Sequence, residues 1–126
     1  MLQIPNNYVA ILSVYPEDGV AIDSKFTDMS GTYKLECKEF DEDFGLDPNI
    51  GSSRVWKLTV APRNGITGGG IVTITGTQKR GQVQLGPVVL PIEILAADAV
   101  PAVFEPMIGS GFIIVFDNMT KRPPQP

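Results

Sequence analysis

Fourteen carboxylates and not one histidine set the chemistry open to this 126-residue chain. Without imidazole there is no ordinary general base near neutral pH, no histidine-containing nucleophilic triad, and none of the commonest zinc ligand. Carboxylates alone support glycoside hydrolysis, which needs two of them facing each other across a cleft. Glu36, Glu39, Asp41 and Glu93 are the side chains that would supply them, but no spacing among them marks a cleft. The expectation is a chain without a catalytic set and without a cofactor.

The densest polar run is Asp41-Glu42-Asp43-Phe44-Gly45-Leu46-Asp47-Pro48-Asn49. Oxygens of Asp41, Asp43, Asp47 and Asn49 are candidate ligands for calcium, which takes about six to eight oxygens. The run departs from an EF-hand loop. Gly45 falls one place early, and Ser52 stands where the bidentate Glu belongs. A solvated acidic loop, turned at Asp47-Pro48, is the favoured reading.

Trp56, together with Tyr8, Tyr15 or Tyr33, is a candidate platform on which a sugar ring would stack. Against this, Trp56 alternates in phase with Leu58 and Val60, as a core residue does. Gly68-Gly69-Gly70 lacks the Lys-Ser/Thr and the following helix of a phosphate loop. Cys37 is the single cysteine, so neither an internal disulfide nor a cysteine metal cluster can form, and a buried reduced thiol is expected.

The elements that must position these groups are strands. Tyr8–Tyr15 is apolar and ends at Pro16-Glu17-Asp18-Gly19, a turn sequence in which Pro presets φ and Gly accepts a positive one. Val20–Asp23 and Lys25–Thr27 read as short strands. From Thr32 to Phe40 the pattern alternates, with Tyr33, Leu35 and Cys37 on one side and Lys34, Glu36 and Lys38 on the other. Arg54–Ala61 alternates likewise, apart from Val55. Asn64-Gly65 is the strongest short hairpin signal. Ile71–Thr77, Gln82–Leu85, Val88–Leu95 and Gly111–Asp117 complete the set, and Lys121–Pro126 reads as an exposed proline-rich tail.

Thirteen glycines and eleven prolines suit short strands joined by tight turns, and no segment keeps a helical period over three turns. The expected architecture is one all-β domain over residues 1–120. It is a two-sheet antiparallel β-sandwich of seven to nine strands, Ig-like or jelly-roll-like, with a small β-barrel as the alternative.

Charge and hydropathy narrow the partners. The ten basic residues are scattered, so no nucleic acid is expected. No apolar run is long enough for a membrane span, and the first residues lack the basic start of a secretory leader. Residues 1–53 hold ten acidic and three basic side chains, whereas 54–126 hold four and seven. Leu85–Phe116 carries Glu93, Asp98 and Glu105 as its only charges.

Pro91 cannot donate to a strand ladder, which places Val88–Leu95 at a sheet edge or a bulge. Glu93 is the kind of charge that discourages indiscriminate edge pairing. Val89, Pro91, Ile92, Glu93 and Ile94 are therefore the expected subunit contact, since their apolar side chains exceed what one buried face needs. The resulting expectation is a non-enzymatic structural subunit of a homomeric or mixed assembly. A virus or bacteriophage particle, with a head-decoration or tail-associated role, is the first candidate, reached after synthesis in the cytoplasm. A carbohydrate- or ligand-binding module is the alternative.

Overall fold

The computed structural model describes residues 1–28, 33–42 and 53–123. Among them are ten strands: β1 (Leu2–Pro5), β2 (Tyr8–Pro16), β3 (Val20–Asp28), β4 (Tyr33–Glu42), β5 (Ser53–Pro62), β6 (Gly68–Gln78), β7 (Val83–Gln84), β8 (Val88–Leu95), β9 (Met107–Gly109) and β10 (Phe112–Lys121). They form two five-stranded sheets, which makes the fold an all-β sandwich. The first has the order β1-β8-β6-β3, with β7 also on β6, and the second the order β4-β5-β2-β10-β9. All pairs are antiparallel except β1 with β8, and the sheets do not close into a barrel.

Alternation decides which side chains meet between the sheets. Leu2 and Ile4, Ile22, Val72 and Ile74, and Leu90, Ile92 and Ile94 point inward from the first sheet. Ala10, Leu12 and Val14, Leu58 and Val60, and Phe112 and Ile114 meet them from the second. Each large aliphatic side chain so buried contributes about 1.5–3 kcal/mol, offset by the chain entropy lost on folding.

Several sequence expectations change in three dimensions. Residues 20–28 form one strand rather than two. Asn64-Gly65 does turn the chain, with Gly65 at φ 73° and the Ile66 amide on the Arg63 carbonyl at 3.3 Å. It does not close a hairpin, however, because β5 and β6 belong to different sheets. A turn motif specifies local reversal; whether the next strand pairs with the last depends on where its apolar face is buried. Strands of the acidic half and the basic half interleave, since β2, β3 and β4 pair with β10, β6 and β5.

The strand holding Pro91 is not a free edge. Over Ile92–Ile94, β8 lies between β6 and β1. Pro91 is tolerated because of register. The Ile92 carbonyl points toward β6, where it would lie 2.4 Å from a Cβ added at Gly69. By alternation the Pro91 nitrogen faces the other side, which β1 begins to cover only at Ile92. The strand is thus an edge at Pro91 and interior one residue later, so no ladder donor is lost.

Candidate functional site

On the outer face of the second sheet, β4 presents Lys34, Glu36 and Lys38, β5 presents Lys57 and Thr59, and β2 presents Ile11 and Ser13. These positions follow from period-two alternation, their neighbours in sequence being core residues. Asp117 arrives differently. The register of β10 on β2 slips between Phe116 and Asn118, leaving Asp117 as the extra residue of a bulge. A bulge re-aims a side chain, and this one delivers the Asp117 carboxylate to Lys57.

The result is a closed triangle of polar groups. Lys57 Nζ donates to Asp117 Oδ2 at 2.7 Å and to Ser13 Oγ at 3.0 Å, and Ser13 Oγ lies 3.3 Å from the same carboxylate oxygen, to which it donates. Ser13 is buried and Lys57 largely so. On the edge strand, Lys38 Nζ meets Glu36 Oε1 at 2.6 Å. Ile11, Glu36, Lys38, Lys57, Thr59 and Asp117 together line a depression of about 390 Å³. That is within the roughly 300–1,000 Å³ of small-molecule sites.

Both carboxylates beside the depression are held ionised by a neighbouring lysine. The hydrogen bond from Lys57 holds the Asp117 carboxyl below its ordinary value, and the one from Lys38 does the same for Glu36. A general acid needs the opposite shift. The Ser13 hydroxyl accepts from the Lys57 amine, so that amine is not placed to take its proton. Glu93 stands on the outer face of the other sheet, opposite Gly69 and Gln3, so the sandwich separates it from Glu36. The side chains of Glu39 and Asp41 are outside the described residues.

A second surface lies where the sandwich is open. β9 pairs with only Phe112–Ile114, so β10 continues past it as an edge, facing the edge strand β1 of the first sheet. The crossover 96–106 spans this gap. Asp98 pins it, at φ 57°, a left-handed conformation that Asp tolerates better than most residues. Asn7 Nδ2 donates to Asp98 Oδ1 at 2.9 Å, and the Asp98 amide donates back to Asn7 Oδ1 at 3.0 Å. Lys121 Nζ adds a 3.3 Å contact to the same carboxylate. Asn7 first, then Lys121, holds the Asp98 carboxyl below its ordinary value. Further along, the Ala102 amide donates to Gln3 Oε1 at 2.8 Å.

Held in this way, the crossover presents apolar side chains outward. Val100 is 91% exposed and Val103 89%, and Ile108, the middle residue of β9, is 82% exposed. Val103 also joins Leu2, Pro101, Phe104, Phe116 and Met119 around an apolar groove of about 260 Å³. Phe116 is in phase with the core residues Phe112 and Ile114, yet it is partly exposed where the two sheets part.

The residues singled out from sequence fare unevenly. Of the expected contact surface, Ile92 and Ile94 are core residues, 3% and 2% exposed, and are not open to a partner. Alternation puts Val89, Pro91 and Glu93 on the opposite, outer face, where Val89 is 50% exposed. The five do not form one surface. Tyr33 is buried, its ring edge-on to Phe26 with centroids 5.0 Å apart, so it is no platform. Trp56 is half-buried against the core, as its phase with Leu58 predicts. It pairs with Glu39 and Tyr33 with Pro62, about 20 Å apart along the strands at about 3.4 Å per residue.

Asp43, Asp47 and Asn49 lie outside the described residues, and only the backbone of Asp41, opposite Arg54, is described. Among the described residues no cluster of His, Cys, Asp and Glu is arranged to hold a metal, and no helix is long and apolar enough to cross a membrane. Cys37 is a free thiol on the inner side of β4, and partial burial raises its pKa. The charged depression and the pinned crossover went unpredicted. The alternation of Lys34, Glu36 and Lys38 was the one local signal of the former. No family model, curated protein or solved structure matches the chain.

Proposed function

We propose that the chain is a non-enzymatic structural subunit of a larger assembly, packing against neighbouring protein subunits through the open side of its sandwich. The observation that carries this reading is the exposure of Val100 and Val103 on a crossover tied down at Asp98 and Ala102, with Val103 lining an apolar groove, and of Ile108 in β9. Apolar side chains on a mobile loop would collapse onto the nearest apolar surface. Here the Asp98–Asn7 pair and the Ala102–Gln3 bond hold the backbone, so the side chains stay presented. Large apolar residues grouped around a groove mark contact surfaces between proteins.

A virus or bacteriophage particle, entered after synthesis in the cytoplasm, is the proposed setting. It rests on fold-level analogy with the β-sandwiches of capsids. The contact surface is placed at 100–108 and the adjoining end of β10 rather than on the inner residues of β8.

Size exclusion with light scattering, run over a concentration series at two salt levels, tests the reading. The wild type should exceed the 13.6 kDa of one chain as a defined oligomer, and a Val103→Glu, Ile108→Glu double variant should run as a monomer with an unchanged circular dichroism spectrum. A wild type that stays at one chain mass throughout would refute self-association.

A further inference from the structure

The charged depression on the second sheet is not used by the proposed packing surface. Its construction exceeds what the fold requires. Lys38 and Lys57 stand directly opposite each other in the β4–β5 register, an arrangement of like charges that weakens a strand pair. Each ammonium is turned aside by its own carboxylate, Lys38 to Glu36 and Lys57 to Asp117. The depression opens around these two ion pairs, with Thr59 and Ile11 completing its lining. A bulge is spent to bring in Asp117, and the buried Ser13 hydroxyl fixes the lysine that Asp117 meets. Groups held in this way are pre-organised and lose little freedom when a ligand arrives.

From this juxtaposition we infer that the depression lined by Ile11, Glu36, Lys38, Lys57, Thr59 and Asp117 binds a neutral polyhydroxylated ligand, a pyranose unit of a glycan. Among the described lining residues two ammonium groups stand beside two carboxylates, so an anion attracted by the lysines is repelled by Glu36 and Asp117, and a cation meets the reverse. A sugar hydroxyl uses both signs at once, donating to a carboxylate and accepting from an ammonium. Adjacent hydroxyls of a pyranose match adjacent donors and acceptors across β4, β5 and β10. The Ile11 side chain offers the apolar contact for the C–H face of the ring, without an aromatic platform.

The test is a ¹⁵N–¹H NMR titration of the full chain with cellotetraose, maltotetraose, chitotetraose and xylotetraose, and separately with inorganic phosphate. Saturable shifts at the amides of Ile11, Thr59 and Asp117 are expected with at least one sugar, at a Kd of about 1 mM or tighter. Thr59→Val and Lys38→Ala, both outward-facing, should each weaken that binding about three- to tenfold while the rest of the spectrum stays in place. The inference is overturned if none of the four sugars produces saturable shifts in these amides by about 10 mM. It is equally overturned if phosphate binds there as tightly as any sugar, or if both variants bind as the wild type does. Its readout is independent of oligomeric mass, so its failure and that of the packing surface are separable.

Discussion

Two substitutions three positions apart on β8 test the face assignment on which the site geometry depends. Ile92 is 3% exposed between the sheets and Val89 is 50% exposed on the outer face. Ile92→Asp forfeits about 1.5–3 kcal/mol of apolar burial. The new carboxyl must then stay neutral in the core, where a fully buried acid is raised by up to about 3–5 pKa units. At about 1.4 kcal/mol for each of the roughly three units between its unfolded value of about 3.9 and pH 7, this adds about 4 kcal/mol at neutral pH. The total, about 6–7 kcal/mol, is comparable with the whole stability of a domain, about 5–15 kcal/mol. Val89→Asp loses part of a half-exposed side chain, about 0.5–1 kcal/mol. Urea melts followed by circular dichroism should therefore find Ile92→Asp unfolded or nearly so without denaturant, and Val89→Asp within a few degrees of wild type on heating. An Ile92→Asp chain with an unchanged urea midpoint would refute the register of β8, and with it the account of which residues face a partner.

Asp117→Asn should lower stability at pH 7 by about 0.5–1 kcal/mol, the range for a partly exposed ion pair. The Asp117 carboxyl is held low by Lys57 in the folded chain. Its contribution is therefore present above the unfolded value of about 3.9 and is lost as pH falls through the folded one. Denaturation curves of the two proteins should differ at pH 7 and converge below about pH 3; a gap that persists in acid would show that the ion pair is not its source. Gly69→Ala should cost about 1–3 kcal/mol, because the new Cβ would meet the Ile92 carbonyl oxygen at 2.4 Å and both are backbone-fixed. A thermal midpoint equal to wild type would show that β6 and β8 are not so closely apposed.

Period two in the chain was enough to mark most strands and their faces. Tyr33, Leu35 and Cys37 against Lys34, Glu36 and Lys38, and Leu58 and Val60 against Lys57 and Thr59, fall on the inner and outer sides that alternation assigns. The residues at Leu2–Pro5 and Met107–Gly109 went unmarked because strands of four and three residues offer too few alternations to stand out from a loop. The Ile92 and Ile94 error has a related cause. A run apolar on both sides, such as Val88–Leu95, shows no phase, so periodicity cannot say which half is buried.

Composition and alternation by themselves determined the all-β class, the wet face of β4 and the lack of imidazole chemistry, since these depend on residue types and neighbours along one strand. Tertiary structure alone decided the rest. Which strands pair is a matter of partners distant in sequence, and it carried β6 away from β5 despite Asn64-Gly65. A one-residue register slip in β10 turned Asp117 onto Lys57, a side chain 60 residues away. The exposure of Val103 follows from how the crossover is tied to Asn7 and Gln3. Each of these is set by contact between segments whose local sequences carry no record of one another.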